Sequence, residues 1–148
     1  MPDEPMPDKP TEASLVQANA RFYETFEELD YQAMAALWEH SDRVYCCHPG
    51  WSPLRGARPV LESWKRIIEN TTAMAFTLDQ VEARIDGNIG IVTLYESINS
   101  RVGHERHSST TAVTNLFAFD TGAGAWKIFH HHASHAAISE SPEGGMLN

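Results

Sequence analysis

The chain has 148 residues, 42% of them hydrophobic and 21% charged, which describes one globular domain with a core of its own and not a disordered chain. Its formal net charge is −9, with no cluster of Lys or Arg to offset it, so a nucleic-acid backbone is excluded as the expected partner. No apolar run approaches the roughly 18–20 residues of a membrane-spanning helix, so no membrane partner is expected either.

Residues 1–10 are acidic and proline-rich and lack the basic-then-apolar order of a secretion signal; they are expected to form a flexible tail. Thr11 is placed to cap a first helix, with Glu12 in its positive first turn. Leu15, Phe22, Phe26 and Leu29 then recur at spacings of seven, four and three, a helical stripe. Asp30 predicts a second cap, and Met34, Leu37 and Trp38 line one face of a shorter helix, with His40 just past its end. Arg43 to His48 reads as a short strand. It contains Cys46 and Cys47, adjacent residues that would strain a disulfide and are too few for a structural zinc site. A reducing cytoplasm is the expected location. His48-Pro49-Gly50-Trp51-Ser52-Pro53 must be a loop, because its two prolines fit neither a helix interior nor a central strand. A third helix follows Gly56, with Pro59 in its first turn and Val60, Leu61, Trp64, Ile67 and Ile68 on one face.

After Asn70 the pattern becomes extended. Met74–Ile85, Ile89–Arg101, Arg106–Phe119 and Trp126–Ser134 read as strands. They are separated by Asp86-Gly87-Asn88, by Gly103, and by the turn Asp120-Thr121-Gly122-Ala123-Gly124. That last Gly-x-Gly lacks the Lys-Ser/Thr of a phosphate loop and opens no helix, so it is a plain turn and no cofactor is expected. Helices first and a strand meander afterwards predict an α+β fold, with N-terminal helices packed on the concave face of a curved, mostly antiparallel sheet and a pocket between the layers. The domain is expected over 11–135, with a second flexible tail over 136–148.

Each long strand sets a polar residue on its apolar side. Glu96 shares a face with Val92, Leu94 and Ile98, and Asn115 with Val113, Phe117 and Phe119. In the last strand, strict alternation places Trp126, Ile128, His130, His132 and Ser134 on one face, which begins as core and ends in imidazoles and a hydroxyl. Unpaired buried polar groups cost on the order of a few kcal/mol, so these residues are expected to meet one another or a ligand. A bulge would open the other choice of face, for Glu96 and for the last-strand histidines alike. His48, before the rigid Pro-Gly-Trp loop, titrates near neutrality and suits a general acid or base; Trp51 is either a pocket wall or a loop anchor. His130 and His132 share the face, and with His48 as a third ligand they would make a zinc pattern. No other ligand spacing supports it, so no metal is expected.

The segment Leu29-Asp30-Tyr31-Gln32-Ala33-Met34-Ala35-Ala36-Leu37-Trp38, the stretch His48-Pro49-Gly50-Trp51 with Gly56, and the closing runs Thr114-Asn115-Leu116-Phe117 and Trp126 to Ser134 together resemble the SnoaL-like and nuclear transport factor 2-like superfamily. Its cystatin-like cone also hosts ketosteroid isomerase, polyketide cyclases and the non-catalytic association domain of calcium/calmodulin-dependent kinase. The resemblance covers about residues 12–135. It implies that His48, before Pro49, stands where the isomerase has its aspartate base. Asn115 stands where the isomerase has a protonated aspartate, and His130, His132 and Ser134 stand at its last-strand pocket wall. The tyrosine donor of the isomerase falls near Phe22, with Tyr23 one residue away and so expected on another face; steroid isomerisation is therefore not predicted. The expected function is proton transfer on a small hydrophobic carbonyl compound, by isomerase, cyclase or dehydratase chemistry. His48, Asn115, Glu96 and His132 would act catalytically, and Trp51, Trp38, His130 and Ser134 would contact the ligand. The alternative is a non-catalytic ligand-binding or dimerisation module. A homodimer is expected in either case, as the resemblance implies.

Overall fold

A computed structural model describes residues 9–137; the predicted tails lie mostly outside these residues. Helix α1 (Glu12–Glu27) starts where Thr11 accepts from the Ser14 amide and Ser14 returns the bond to the Thr11 amide, a capping box built on two hydroxyls. Ser14 also accepts from the Trp126 indole at 2.9 Å, which ties the start of the helix to the last strand. Leu29 falls beyond the helix, in a left-handed turn at φ 55°, and does not extend the stripe. Asp30 caps α2 (Tyr31–Leu37) through the Ala33 amide at 3.1 Å. His40 lies past the end of α2, with Nε2 3.0 Å from the Ala35 carbonyl oxygen, one of the orphan acceptors at a helix C-terminus.

The predicted strand at 43–48 is shorter, β1 (Tyr45–Cys47), and the loop after it contains a strand not anticipated, β2 (Leu54–Arg55). Helix α3 (Ala57–Glu69) buries Val60, Trp64 and Ile68. Four long strands follow: β3 (Ala73–Asp86), β4 (Ile89–Val102), β5 (Glu105–Asp120) and β6 (Ala125–His135). The two hairpins joining β3 to β5 turn on Gly87 and Gly103, at φ 65° and 62°, where a side chain would strain the backbone. The six strands form one sheet in the order β2-β1-β6-β5-β4-β3, antiparallel except for β1 against β6.

The three helices cover the concave face of this curved sheet, and the fold class matches the α+β expectation. Leu15, Phe22, Met34, Trp38, Trp64, Val92, Phe117 and Ile128 form the core between the layers. Phe22 stands edge-on to Trp64 at 5.5 Å and 89°, the geometry aromatic quadrupoles favour. Among the described residues no helix is long and apolar enough to cross a membrane.

The last strand departs from strict alternation. Phe117 pairs with Ile128, but Leu116 pairs with His130; Phe129 is an extra residue without a partner, a β-bulge. Every side chain after it changes face. Trp126, Ile128, His131 and Ala133 are buried inward, whereas His130, His132 and Ser134 stand on the face away from the helices. This corrects the single row from Trp126 to Ser134. Phe129 itself carries the Arg43 guanidinium 4.1 Å above its ring.

Candidate active site

Between α1, α3, the loop after β1 and the inward faces of β4 and β6 lies a cavity of about 190 Å³. Its walls are largely aromatic, with Phe22, Phe26, Trp51 and Trp64, and its polar groups are Tyr23, His48, Glu96 and His131.

His48 is 4% exposed and sits edge-on to both Trp51 and Trp64, at 4.7 and 4.8 Å. Its Nε2 lies 2.9 Å from Ser63 Oγ, and the Ser63 hydroxyl gives its only proton to the Val60 carbonyl at 2.7 Å. Ser63 must therefore accept, which fixes the His48 proton on Nε2 and leaves the lone pair on Nδ1. Burial pushes the imidazole down to about 4, so it is neutral at physiological pH.

Behind this wall, His131 Nδ1 donates to Asn115 Oδ1 at 2.6 Å. The Asn115 amide in turn donates to Asn19 Oδ1 at 2.9 Å and to Tyr23 Oη at 3.3 Å. The chain fixes the tautomer of His131 with its lone pair on Nε2. Burial, with His48 and the neighbouring histidines adding to it, holds His131 well below its ordinary value. Tyr23 and Glu96 complete the site. Burial raises both above their ordinary values, and for Tyr23 the nearby Glu96 adds to this. The Tyr23 and Thr111 hydroxyls beside Glu96 draw it part of the way back. Glu96 is 3% exposed, yet its Oε2 has no hydrogen-bond partner among the described residues. A buried carboxyl oxygen without a partner is costly, and this one belongs to a residue that lines a cavity.

The structure thus brings together His48, Glu96 and Trp51 as cavity residues. It moves Asn115 behind the wall, where it is wholly buried and holds Tyr23 and His131 in place; Asn115 does not line the cavity. Trp38 is core, 6.4 Å from Trp64, and does not reach the cavity. His130, His132 and Ser134 are on the opposite face of the sheet, where the bulge puts them. Among the described residues, no three His, Cys, Asp or Glu side chains gather as metal ligands would.

Sequence reasoning missed Tyr23 and His131. Tyr23 is inside together with Phe22, at 3% and 1% exposure, because the curved sheet wraps more than one stripe of α1. The spacing Leu15, Asn19, Phe22, Tyr23, Phe26 was the available signal. For His131 the hint was the pair Ile128-Phe129, two large apolar residues side by side where alternation asks for one.

The SnoaL-like domain model matches residues 15–139, and the chain belongs to that family. A protein from Streptomyces avermitilis, provisionally named a dehydratase of the NTF2-like family, superposes with a TM-score of 0.79 at 32% identity, over 86% of this chain and 96% of that one. A nuclear transport factor 2-like superfamily protein from Salmonella enterica Typhimurium shares the fold, with a TM-score of 0.77 at 17% identity over 90% and 96% of the two chains. F-box protein SKIP8 of Arabidopsis thaliana is 28% identical over 130 residues, covering 88% of this chain and 53% of that protein. The chain thus spans about half the length of this curated relative.

Proposed function

We propose that the chain is a general acid–base enzyme acting on a small hydrophobic carbonyl compound, with dehydration favoured among the isomerase, cyclase and dehydratase chemistries. The observation that carries this is the unpartnered Glu96 Oε2 in a cavity shared with a neutral histidine whose proton position is fixed. The raised Glu96 suits the acid and the lone pair of His48 Nδ1 suits the base, two groups whose environments separate their roles. His48 would take the proton from the carbon beside the carbonyl. The electron pair would form the carbon–carbon double bond as the β carbon–oxygen bond breaks. Glu96 would give its proton to the leaving oxygen, releasing water, and the proton would return from His48 to Glu96 to reset the site. Tyr23, held by Asn115, would donate to the carbonyl oxygen as charge develops there. The 32% identity to a protein provisionally named a dehydratase supports the choice among reactions.

The test is deuterium exchange next to the carbonyl of small cyclic ketones in D₂O, with loss of water followed from their β-hydroxy derivatives. His48→Gln should abolish both, and Glu96→Gln should slow dehydration about a hundredfold while sparing exchange more. Exchange in His48→Gln at the wild-type rate removes His48 from the base role.

A second reading, a homodimer through the uncovered sheet face, is favoured by one cluster. Tyr45 stacks on His130 at 4.4 Å and 9°, with its hydroxyl 3.3 Å from His132 Nδ1, a flat, half-buried aromatic surface of the kind enriched in interfaces. Sedimentation of wild type beside Tyr45→Ala decides it: a monomeric wild type, or a dimer indifferent to the substitution, rules it out.

A further inference from the structure

The size and polarity of the cavity say more about its ligand than the residue roles do. An apolar cavity of about 150 Å³ is filled by one benzene, whereas drug-sized ligands occupy roughly 300–1,000 Å³. At 190 Å³ the present cavity holds, in the same proportion, about eight non-hydrogen atoms. That is one six-membered ring with two polar substituents.

The walls limit charge as well. No Lys or Arg lines the cavity, so a carboxylate or phosphate would enter without a counter-ion, at a large desolvation penalty. The two histidines that border it are held neutral by burial, which removes them as cationic partners. Aromatic faces dominate the rest of the wall, with Phe26 5.0 Å edge-on from Trp64. Among the described residues two buried polar atoms of the wall, Glu96 Oε2 and the Trp64 indole nitrogen, have no hydrogen-bond partner, and the Tyr23 hydroxyl lies beside the Glu96 carboxyl. One ligand oxygen at Glu96 would supply the partner its carboxyl lacks, and a second would meet the Tyr23 hydroxyl.

We infer that the ligand of this cavity is an uncharged, single-ring or equally compact hydroxy-ketone, seated with an oxygen on Glu96, and that fused-ring aromatics and four-ring steroids are too large for it to enclose. This rests on the acid–base reading for its choice of a hydroxy-ketone, but the limits on size and charge come from the cavity alone.

The experiment is calorimetric titration of the protein with 3-hydroxycyclohexanone, cyclohexanecarboxylate, a two-ring tetralone and androstenedione. The expected result is binding of 3-hydroxycyclohexanone alone, weakened about fivefold to tenfold in Glu96→Leu, which keeps the bulk of the side chain and removes its hydrogen bond to the ligand. Ile67→Phe, at a partly exposed position of the cavity wall, should weaken it by more than about tenfold by filling the space. This second variant keeps the test decisive if Glu96→Leu does not fold. Tighter binding of tetralone or androstenedione, binding of the carboxylate, or no binding of the single-ring compound overturns the inference. So does binding that neither variant changes. Binding as expected without exchange or dehydration leaves the inference standing and sinks the catalytic reading. Turnover of a larger ketone does the reverse.

Discussion

His48 makes the stability of this protein depend on acid in a way that can be calculated. Its imidazole is 4% exposed and burial pushes it from the ordinary 6.5 down to about 4. In the unfolded chain the group takes up a proton as pH falls through 6.5; in the folded chain it does so only near 4. The unfolded state therefore binds more protons throughout this window. The stability contributed by neutral His48 is complete above 6.5, falls as pH drops toward 4, and changes little below that. Lowering pH from 7 to 5 removes about 2 kcal/mol through this one group. In a domain of this size that is a midpoint shift of about 1 M urea, or about 4–8 °C in Tm. His131 works in the same direction. Glu96, whose value is raised, works in the opposite one, since the folded state takes up its proton first. The quantity to measure is thus the difference between wild type and His48→Gln, by urea unfolding at pH 7 and pH 5 with tryptophan fluorescence. Wild type should lose about 2 kcal/mol more than the variant. Equal losses in the two proteins would mean that His48 is solvated, and the site described above would lose its base.

Other substitutions probe the remaining features. Glu96→Gln removes a carboxyl that the folded state prefers protonated, so its stability relative to wild type should grow as pH rises above the ordinary carboxylate range; a difference that stays flat from pH 5 to 9 would show that Glu96 is not desolvated. Gly90→Ala would place a Cβ 2.6 Å from Leu15 Cδ1, a side chain with no exposure, and should cost about 1–3 kcal/mol in urea unfolding. Deletion of Phe129 restores plain alternation and keeps His131 inside, so the variant should still unfold cooperatively, about 1–3 kcal/mol less stable; without a bulge the same deletion would turn the rest of the strand inside out and abolish folding.

Much of this fold is local in origin, and that part was legible. Thr11 and Asp30 are capping residues followed by helical stripes, and both caps form. Glu96 and Asn115 could be placed inward because β4 and β5 pair along their whole lengths without interruption. What stayed hidden depends on partners far away in the chain. Tyr23 points inward because the sheet curves around α1; the spacing Leu15, Asn19, Phe22, Tyr23, Phe26 allows the wider buried face, but the curvature that uses it belongs to strands 50 or more residues later.

The bulge at Phe129 has the same non-local character. Before it, Ile128 bridges to Trp38 and its carbonyl accepts from the Glu39 amide at 2.9 Å. After it, His130, His131 and His132 pair in parallel with Tyr45, Cys46 and Cys47. The strand meets two different neighbours on that edge while keeping one partner, β5, on the other. An extra residue lets it change direction between them. In a run of three histidines, the one that reaches the inner layer is therefore chosen by Phe129, a residue with no chemistry of its own. A sequence reading that counts only titratable groups will select the wrong imidazoles whenever the selector lies in the backbone.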